Sequence, residues 1–418
     1  MLLKFLNSNY LFIAVLLLGC TKQDYPPPMQ TGRQVLVYMI ADNNLDYFAV
    51  SDINEMEHGM LNLGGITGEL LVYIDRGNNG SPAHPYLMRI IPDSSQQVVS
   101  EIIKVYPEQN SADPAVFSKV IIDVDNITDV PFESKGLIMW SHGNSWLPPE
   151  VSLYSDRDKI LDTTSVNNRL KSFGLDDNIS NSDYYEEMDV IEMANVLTPY
   201  KFDFILFDAC FMGAIEVIYE LKYVCDYIIS SPTEILSAGF PYEDIIPDLL
   251  SRNFNASSVA EKKHEFYSEQ KGILRSSAIS VVDTENLSLL ASSFKDILLA
   301  SIGSIDISEK DVKFNVDSLQ QFDRLYAEFL FDMYDFTMRV CDNNDLADLK
   351  REFNTIWQKS VVMSAHTPYM FGTLSLENCN GLSMYLPQQY ESRKDINEYY
   401  KKYKWYKESG LCNAINSD

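Results

Sequence analysis

The chain has 418 residues, 22% of them charged and 12% aromatic, and carries a formal charge of −27 at pH 7. Its length and apolar content suit one large globular domain or two ordinary ones. The strong acidity argues against nucleic acid or an anionic membrane surface as partners, and it is compatible with either a cationic substrate or a solvated surface.

The first segment pairs a lone Lys4 with an apolar stretch over 10–18 (YLFIAVLLL), which is too short to span a bilayer comfortably. It reads as the core of a secretory signal. The run Leu17-Leu18-Gly19-Cys20 then looks like a bacterial lipobox, with residues 1–19 removed and Cys20 lipidated. Loss of 1–19 removes one Lys and no acid, so the charge moves from −27 to −28. Residues 20–32 are then the lipidated cysteine and a polar, Pro-rich tether. These features predict a bacterial cell-envelope protein, periplasmic or surface-exposed, that meets the membrane only through its N-terminal lipid.

Downstream, apolar runs alternate with helical patterns. The runs at 35–41 (VLVYMIA), 70–74, 136–140, 204–207, 227–229 and 278–282 read as strands buried on both faces. Residues 86–91 and 100–105 alternate and suggest an antiparallel edge hairpin. Helical spacing is present at 46–60, 115–125, 186–197, 213–223 and 259–270. Such alternation predicts an α/β fold, a mostly parallel central sheet with helices on both faces. Residues 148–185 are rich in Asp, Asn and Ser and too long for a plain connection. From residue 286 long amphipathic stretches dominate, at 287–302, 317–340 and 346–362. Residues 381–386 (GLSMYL) then read as a strand returning to the sheet. The expected organisation is a catalytic domain over 33–285 and a mainly helical region over 286–418.

Of five histidines, His142 sits directly after a predicted strand, in Trp140-Ser141-His142-Gly143-Asn144. Cys210 sits after another, in Phe207-Asp208-Ala209-Cys210, with a helical pattern starting just beyond it. Active sites of parallel sheets collect at the carboxyl ends of strands. A thiolate there can attack a carbonyl while an imidazole protonates the leaving amine, and the Gly143 N–H can serve an oxyanion. Singly, a strand-end Cys is more often a small buried hydrophobe, and a His beside Gly a turn residue. The pair, on two strand ends of one sheet, favours chemistry.

At this point the sequence resembles the clostripain-like cysteine peptidases, which share the caspase and gingipain type of α/β/α sandwich. The resemblance runs through VLVYMIADNNLD (35–46), LLVYIDRG (70–77), LIMWSHGNSW (137–146), FDFILFDACFMG (202–213), CDYIISS (225–231) and GLSMYLP (381–387). It implies that His142 and Cys210 are the catalytic dyad and that Asp208 helps form the primary specificity pocket. Members that cleave after Arg or Lys carry a second pocket acid, where this chain has Ala238. The P1 preference is therefore left open, with a small or apolar P1 residue as the rival to a basic one. Self-cleavage in the matching loop, 148–185, is also implied; it holds Arg157, Lys159, Arg169 and Lys171.

The chemistry requires no cofactor. Some members bind calcium, but no Asp-x-Asp-x-Asp-Gly loop names a site here. The pairs Asp176-Asp177 and Glu186-Glu187 read as solvated. With no CxxC pair and no His at ligand spacing, no zinc site is expected, while a structural calcium stays open with no site to name. Cys225 reads as inert, and a Cys379–Cys412 disulfide stays open. The expected partner is a peptide or protein substrate, and no oligomeric state is specified. Two rivals use the same fold: an inactive peptide- or glycan-binding lipoprotein, and an enzyme of another acyl transfer such as ligation.

Overall fold

A computed structural model describes residues 30–77, 83–127, 132–148, 173–176, 186–301, 318–324, 328–388 and 391–412. The signal, Cys20 and most of the tether lie outside these residues, as do Arg157, Lys159, Arg169, Lys171 and Asp177.

The predicted buried runs become the parallel centre of a nine-stranded sheet. Its strands are β1 (Gln30–Ile40), β2 (Gly68–Asp75), β5 (Phe132–Trp140), β8 (Phe202–Asp208) and β9 (Cys225–Ser230). The expected edge hairpin forms from β3 (Tyr86–Arg89) and β4 (Glu101–Val105), antiparallel beside β2. At the opposite edge β10 (Ala278–Asp283) pairs antiparallel with β9 and with β12 (Val361–His366). The order is β12-β10-β9-β8-β5-β1-β2-β3-β4.

Side chains alternate across this sheet with period two, as a pleated strand requires. Val35, Val37 and Met39 face α1 (Asp46–Leu61), α5 (Tyr242–Leu250) and α6 (Ala256–Ser268). Leu36, Tyr38 and Ile40 face α2 (Pro114–Asp125), α3 (Val190–Leu197), α4 (Ile215–Glu220) and α7 (Leu287–Ala300). The result is the expected α/β/α sandwich.

Several boundaries differ from expectation. β6 (Phe173–Asp176) and β7 (Glu186–Met188) form a hairpin where sequence suggested loop and helix. β6 is buried, pinned by Gly174 N–H to His142 O at 3.0 Å and by Asn43 Nδ2 to Leu175 O at 2.8 Å. Nor is 317–340 one helix. Phe331–Asp332 forms β11, and α8 (Met333–Asn343) starts only after it, capped by Asp332, which accepts from Asp335 N. Helix α9 (Ala347–Ser360) hands over to β12, the strand that does return to the main sheet. β13 (Tyr369–Met370) and β14 (Leu374–Ser375) make a small hairpin. The GLSMYL run supplies β15 (Ser383–Met384), which pairs with β11 and not with the main sheet. All five described cysteines are free thiols, Cys379 and Cys412 included.

The region after β15 braces the front of the molecule. It contains α10 (Lys394–Tyr400) and α11 (Lys404–Glu408). Glu216 of α4 accepts from Tyr385 N at 2.9 Å and from Tyr400 Oη at 2.8 Å, and burial pushes its carboxyl up to about 7. Trp146 packs among Tyr385, Tyr400 and Tyr403, at ring distances of 4.8, 4.7 and 5.9 Å.

The acids read as solvated are in part interior. Asp176 and Glu187 are buried. Asp176 accepts from Ser111 N at 2.6 Å, and Ser111 Oγ donates to Asp75 Oδ2 at 2.5 Å. Burial raises Asp75 to about 6, against opposing hydrogen bonds. A carboxyl raised on folding contributes stability below its unfolded value, and loses it as pH climbs through the folded one. Stability will therefore fall between about pH 4 and pH 6 by on the order of 2 kcal/mol from this group. Asp75→Asn will flatten that window, as read by urea midpoints at pH 4, 6 and 8; an unchanged slope refutes it.

Candidate active site

His142 and Cys210 stand at the same end of neighbouring parallel strands. Trp140 of β5 is in register with Asp208 of β8, so each candidate lies two residues beyond a paired position. The next link is closer still. A Cβ at Gly143 would sit 2.5 Å from the backbone oxygen of Cys210 and 3.1 Å from Ala209 Cβ. Gly143 is thus required by direct contact between the two loops.

Both loops hold left-handed backbone at non-glycine residues. Phe211, immediately after Cys210, has φ 61°, and Ser145 has φ 63°. A bulky residue there is uncommon and persists only when its surroundings enforce it. For Phe211 they do: its N–H donates to Thr233 O at 2.8 Å, and Gly213 N–H donates to Ser231 O at 2.7 Å. The helix expected from residue 213 begins only at Ile215, so α4 does not start at the sulfur. The N–H that reaches Sγ belongs to Ile235, at 3.2 Å. Such a donor favours the thiolate.

His142 is half-buried, and its Nε2 lies 2.7 Å from Oδ1 of exposed Asn44, in the loop after β1. With Nε2–H donating there, the tautomer leaves Nδ1 to act as base. Asn44 lies in the run VLVYMIADNNLD (35–46), where no local pattern marks it for this role. Asn44→Ala will lower kcat/KM on the order of 10- to 100-fold. The thermal midpoint should not move, because the side chain is exposed; equal activity would refute the role.

Asp208 shares a face with Trp140 and is buried. Its Oδ2 accepts from Phe240 N at 3.2 Å and from Tyr242 Oη at 2.9 Å. Gly239 (φ 59°) turns against it, and a Cβ there would lie 2.5 Å from Oδ2. Exposed Ala238 directly precedes this turn. Behind Asp208 lie Asp52, which accepts from Trp140 Nε1 at 2.7 Å, and Lys263 of α6. Burial raises the Asp208 and Asp52 carboxyls, while the Lys263 charge opposes this at Asp208. Burial also pushes Lys263 down to about 8. Sequence reasoning missed Lys263, which lies in a mostly charged stretch.

The other four histidines are elsewhere. His58 and His84 face Glu243 and Glu108, His264 meets Ser268, and His366 meets Thr367 O. Burial raises Cys225 and Cys379 far above an ordinary thiol, as suits inert residues. Among the described residues no group of three or more His, Cys, Asp or Glu side chains is arranged for a metal.

A half-buried thiol and an imidazole on adjoining strand ends of a parallel α/β/α sandwich define a caspase-like cysteine peptidase. The clostripain family model matches residues 37–417, and the chain belongs to that family of cysteine peptidases. Among solved structures it is similar to a secreted C11 cysteine protease from Bacteroides thetaiotaomicron, solved with an irreversible peptide inhibitor. That likeness has a TM-score of 0.73 and 27% identity, over 91% of this chain and 100% of the other. An inactive zymogen C11 protease from Parabacteroides distasonis matches at TM-score 0.68 and 28% identity, over 90% of this chain and 97% of the other. A second Bacteroides thetaiotaomicron protease, iotapain, at 20% identity and TM-score 0.69, shares the fold. A search of the curated proteins finds no match.

Proposed function

We propose that this cysteine peptidase is a secreted, lipid-anchored endopeptidase whose dyad is Cys210 and His142. The Cys210 thiolate attacks the P1 carbonyl carbon, and the oxyanion takes a hydrogen bond from Gly143 N–H. The C–N bond breaks as imidazolium His142 protonates the leaving amine, which leaves a thioester on Cys210. Water, deprotonated by His142, then hydrolyses the thioester and regenerates the thiol. Asn44 orients the imidazole, and Asp208 lines the primary pocket beside Ala238.

The observation that carries this reading is the abutment of Gly143 on the Cys210 backbone, which fixes the two loops to each other. Anchoring rests on Leu17-Leu18-Gly19-Cys20, and self-processing on the length and polarity of 148–185. The test is labelling with peptidyl acyloxymethyl ketones of differing P1 residue, on the wild type and on Cys210→Ala. Labelling confined to wild-type Cys210 is expected. A folded wild type that no probe modifies would instead favour an inactive peptide- or glycan-binding lipoprotein. Mass spectrometry of the mature protein reads an acylated Cys20 and any cut within 148–185.

A further inference from the structure

Arg324 is held between a carboxylate and a ring. Its Nε donates to Glu234 Oε2 at 2.5 Å and its Nη2 to Glu234 Oε1 at 2.7 Å, a two-pronged pair. The guanidinium carbon lies 4.4 Å from the centre of the Phe371 ring. Phe371, in the turn between β13 and β14, has φ 49° and is tied by its N–H to Ser276 Oγ at 2.7 Å. Glu234 is 7% exposed, and a carboxylate so buried needs a partner cation. The pair therefore joins the segment after β9 to the C-terminal region. That segment, 231–235, runs alongside the Cys210 loop. Ser231 O accepts from Gly213 N at 2.7 Å and Thr233 O from Phe211 N at 2.8 Å. The next link in the series is Ile235 N–H to Cys210 Sγ, at 3.2 Å. The first two links are backbone pairs. The third ends the series on a side-chain acceptor, so its geometry depends on what fixes Glu234.

We propose that Glu234 and Arg324 are positioning residues for the nucleophile: their pair holds Ile235 N–H against Cys210 Sγ and so favours the thiolate that attacks substrate. A donor held against an ionised sulfur stabilises it, and a donor free to swing away does not. The fork matters, because an ammonium in its place offers a point charge and fixes no orientation. The field of the pair would act with the opposite sign. Neutralising Glu234 leaves the Arg324 cation near the sulfur, and by charge alone that favours the thiolate further.

This inference rests on the peptidase reading, with Cys210 as nucleophile. The test is the pH dependence of Cys210 alkylation by iodoacetamide, read on the Cys210 peptide by mass spectrometry, in the wild type, Glu234→Gln and Arg324→Lys. The first variant removes one charge and half of the fork's acceptors; the second keeps every charge and loses the fork. Other titratable groups at this end of the sheet, His142, Asp208 and Lys263 of α6, are unchanged in both. Both variants are expected to move the acidic midpoint of the profile upward, with about tenfold slower alkylation on its acidic limb. A downward move in Glu234→Gln, as charge alone would give, overturns the proposal. So does an unmoved profile with a lowered thermal midpoint, which marks a purely structural pair. In the wild type the Ile235 amide is expected to exchange its hydrogen slowly. Exchange at the rate of an unprotected amide overturns the proposal even if neither variant folds. A Cys210 that no peptide probe labels removes the peptidase reading and this proposal with it, whereas labelling with an unmoved profile removes this proposal alone.

Discussion

Cys210→Ala will lower kcat/KM for peptide hydrolysis by roughly four to six orders of magnitude and leave the thermal midpoint unmoved. The substitution deletes one half-buried sulfur whose described partners are Ile235 N–H and Ile235 O. The neighbouring backbone is fixed independently by Phe211 N–H to Thr233 O and Gly213 N–H to Ser231 O. His142→Ala should cost a similar amount, and the double variant little more than either alone, since nucleophile and base act as one unit. Steady-state kinetics and thermal melts on the three variants check this. Additive losses, or residual turnover within tenfold of wild type, would remove Cys210 from the mechanism.

Trp146→Ala is expected to destabilise the fold by about 3–5 kcal/mol and to lose most of the activity. Trp146 is fully buried, four residues after His142 in the same loop. Three tyrosines from the C-terminal region surround it, and Tyr403 Oη donates to its carbonyl at 2.9 Å. Truncation leaves a cavity between that region and the catalytic loop, so His142 loses its seat as the core loosens. Trp146 Nε1 has no hydrogen-bond partner among the described residues, so Trp146→Phe gives up volume and no bond. It should therefore retain well over half of the stability lost in the alanine variant. Urea unfolding followed by circular dichroism, paired with kcat, checks both; an alanine variant as stable as wild type would show that the aromatic cluster is not a brace.

The parallel strands were legible because buried strands read as continuous runs of apolar residues, and strand ends mark where chemistry collects. Thus 136–140 and 204–207 pointed to His142 and Cys210 before any coordinates. Edge and C-terminal elements were harder. Val361–His366 is partly exposed along one sheet edge, so its pattern merged with the preceding helix. Asp317 to Val340 carried helical spacing throughout, yet Phe331–Asp332 pairs with β15 because buried Asp332 also accepts from Asn380 N at 2.7 Å. Helix α5 went unseen; Pro247 inside it is a local signal against a helix, overridden by packing of Tyr242, Ile245 and Ile246 against the sheet.

By itself, the sequence determined the class of fold and placed His142 and Cys210 after strands as a candidate dyad, since both are written in local pattern along the chain; the missing acid at position 238 came only from the resemblance to the family. What only the tertiary structure decided is what faces what. Ile235 reaches the sulfur from 25 residues away, and Asn44 reaches the imidazole across 98. Lys263 lies in Glu261-Lys262-Lys263-His264-Glu265, which reads as a solvated helix face. The rotation of α6 against the sheet turns Lys262 outward, to Asp248, and Lys263 inward, beside Asp208. That rotation is fixed by burial of Ala256, Val259, Ala260 and Tyr267, long-range packing that the identity of the two lysines does not encode.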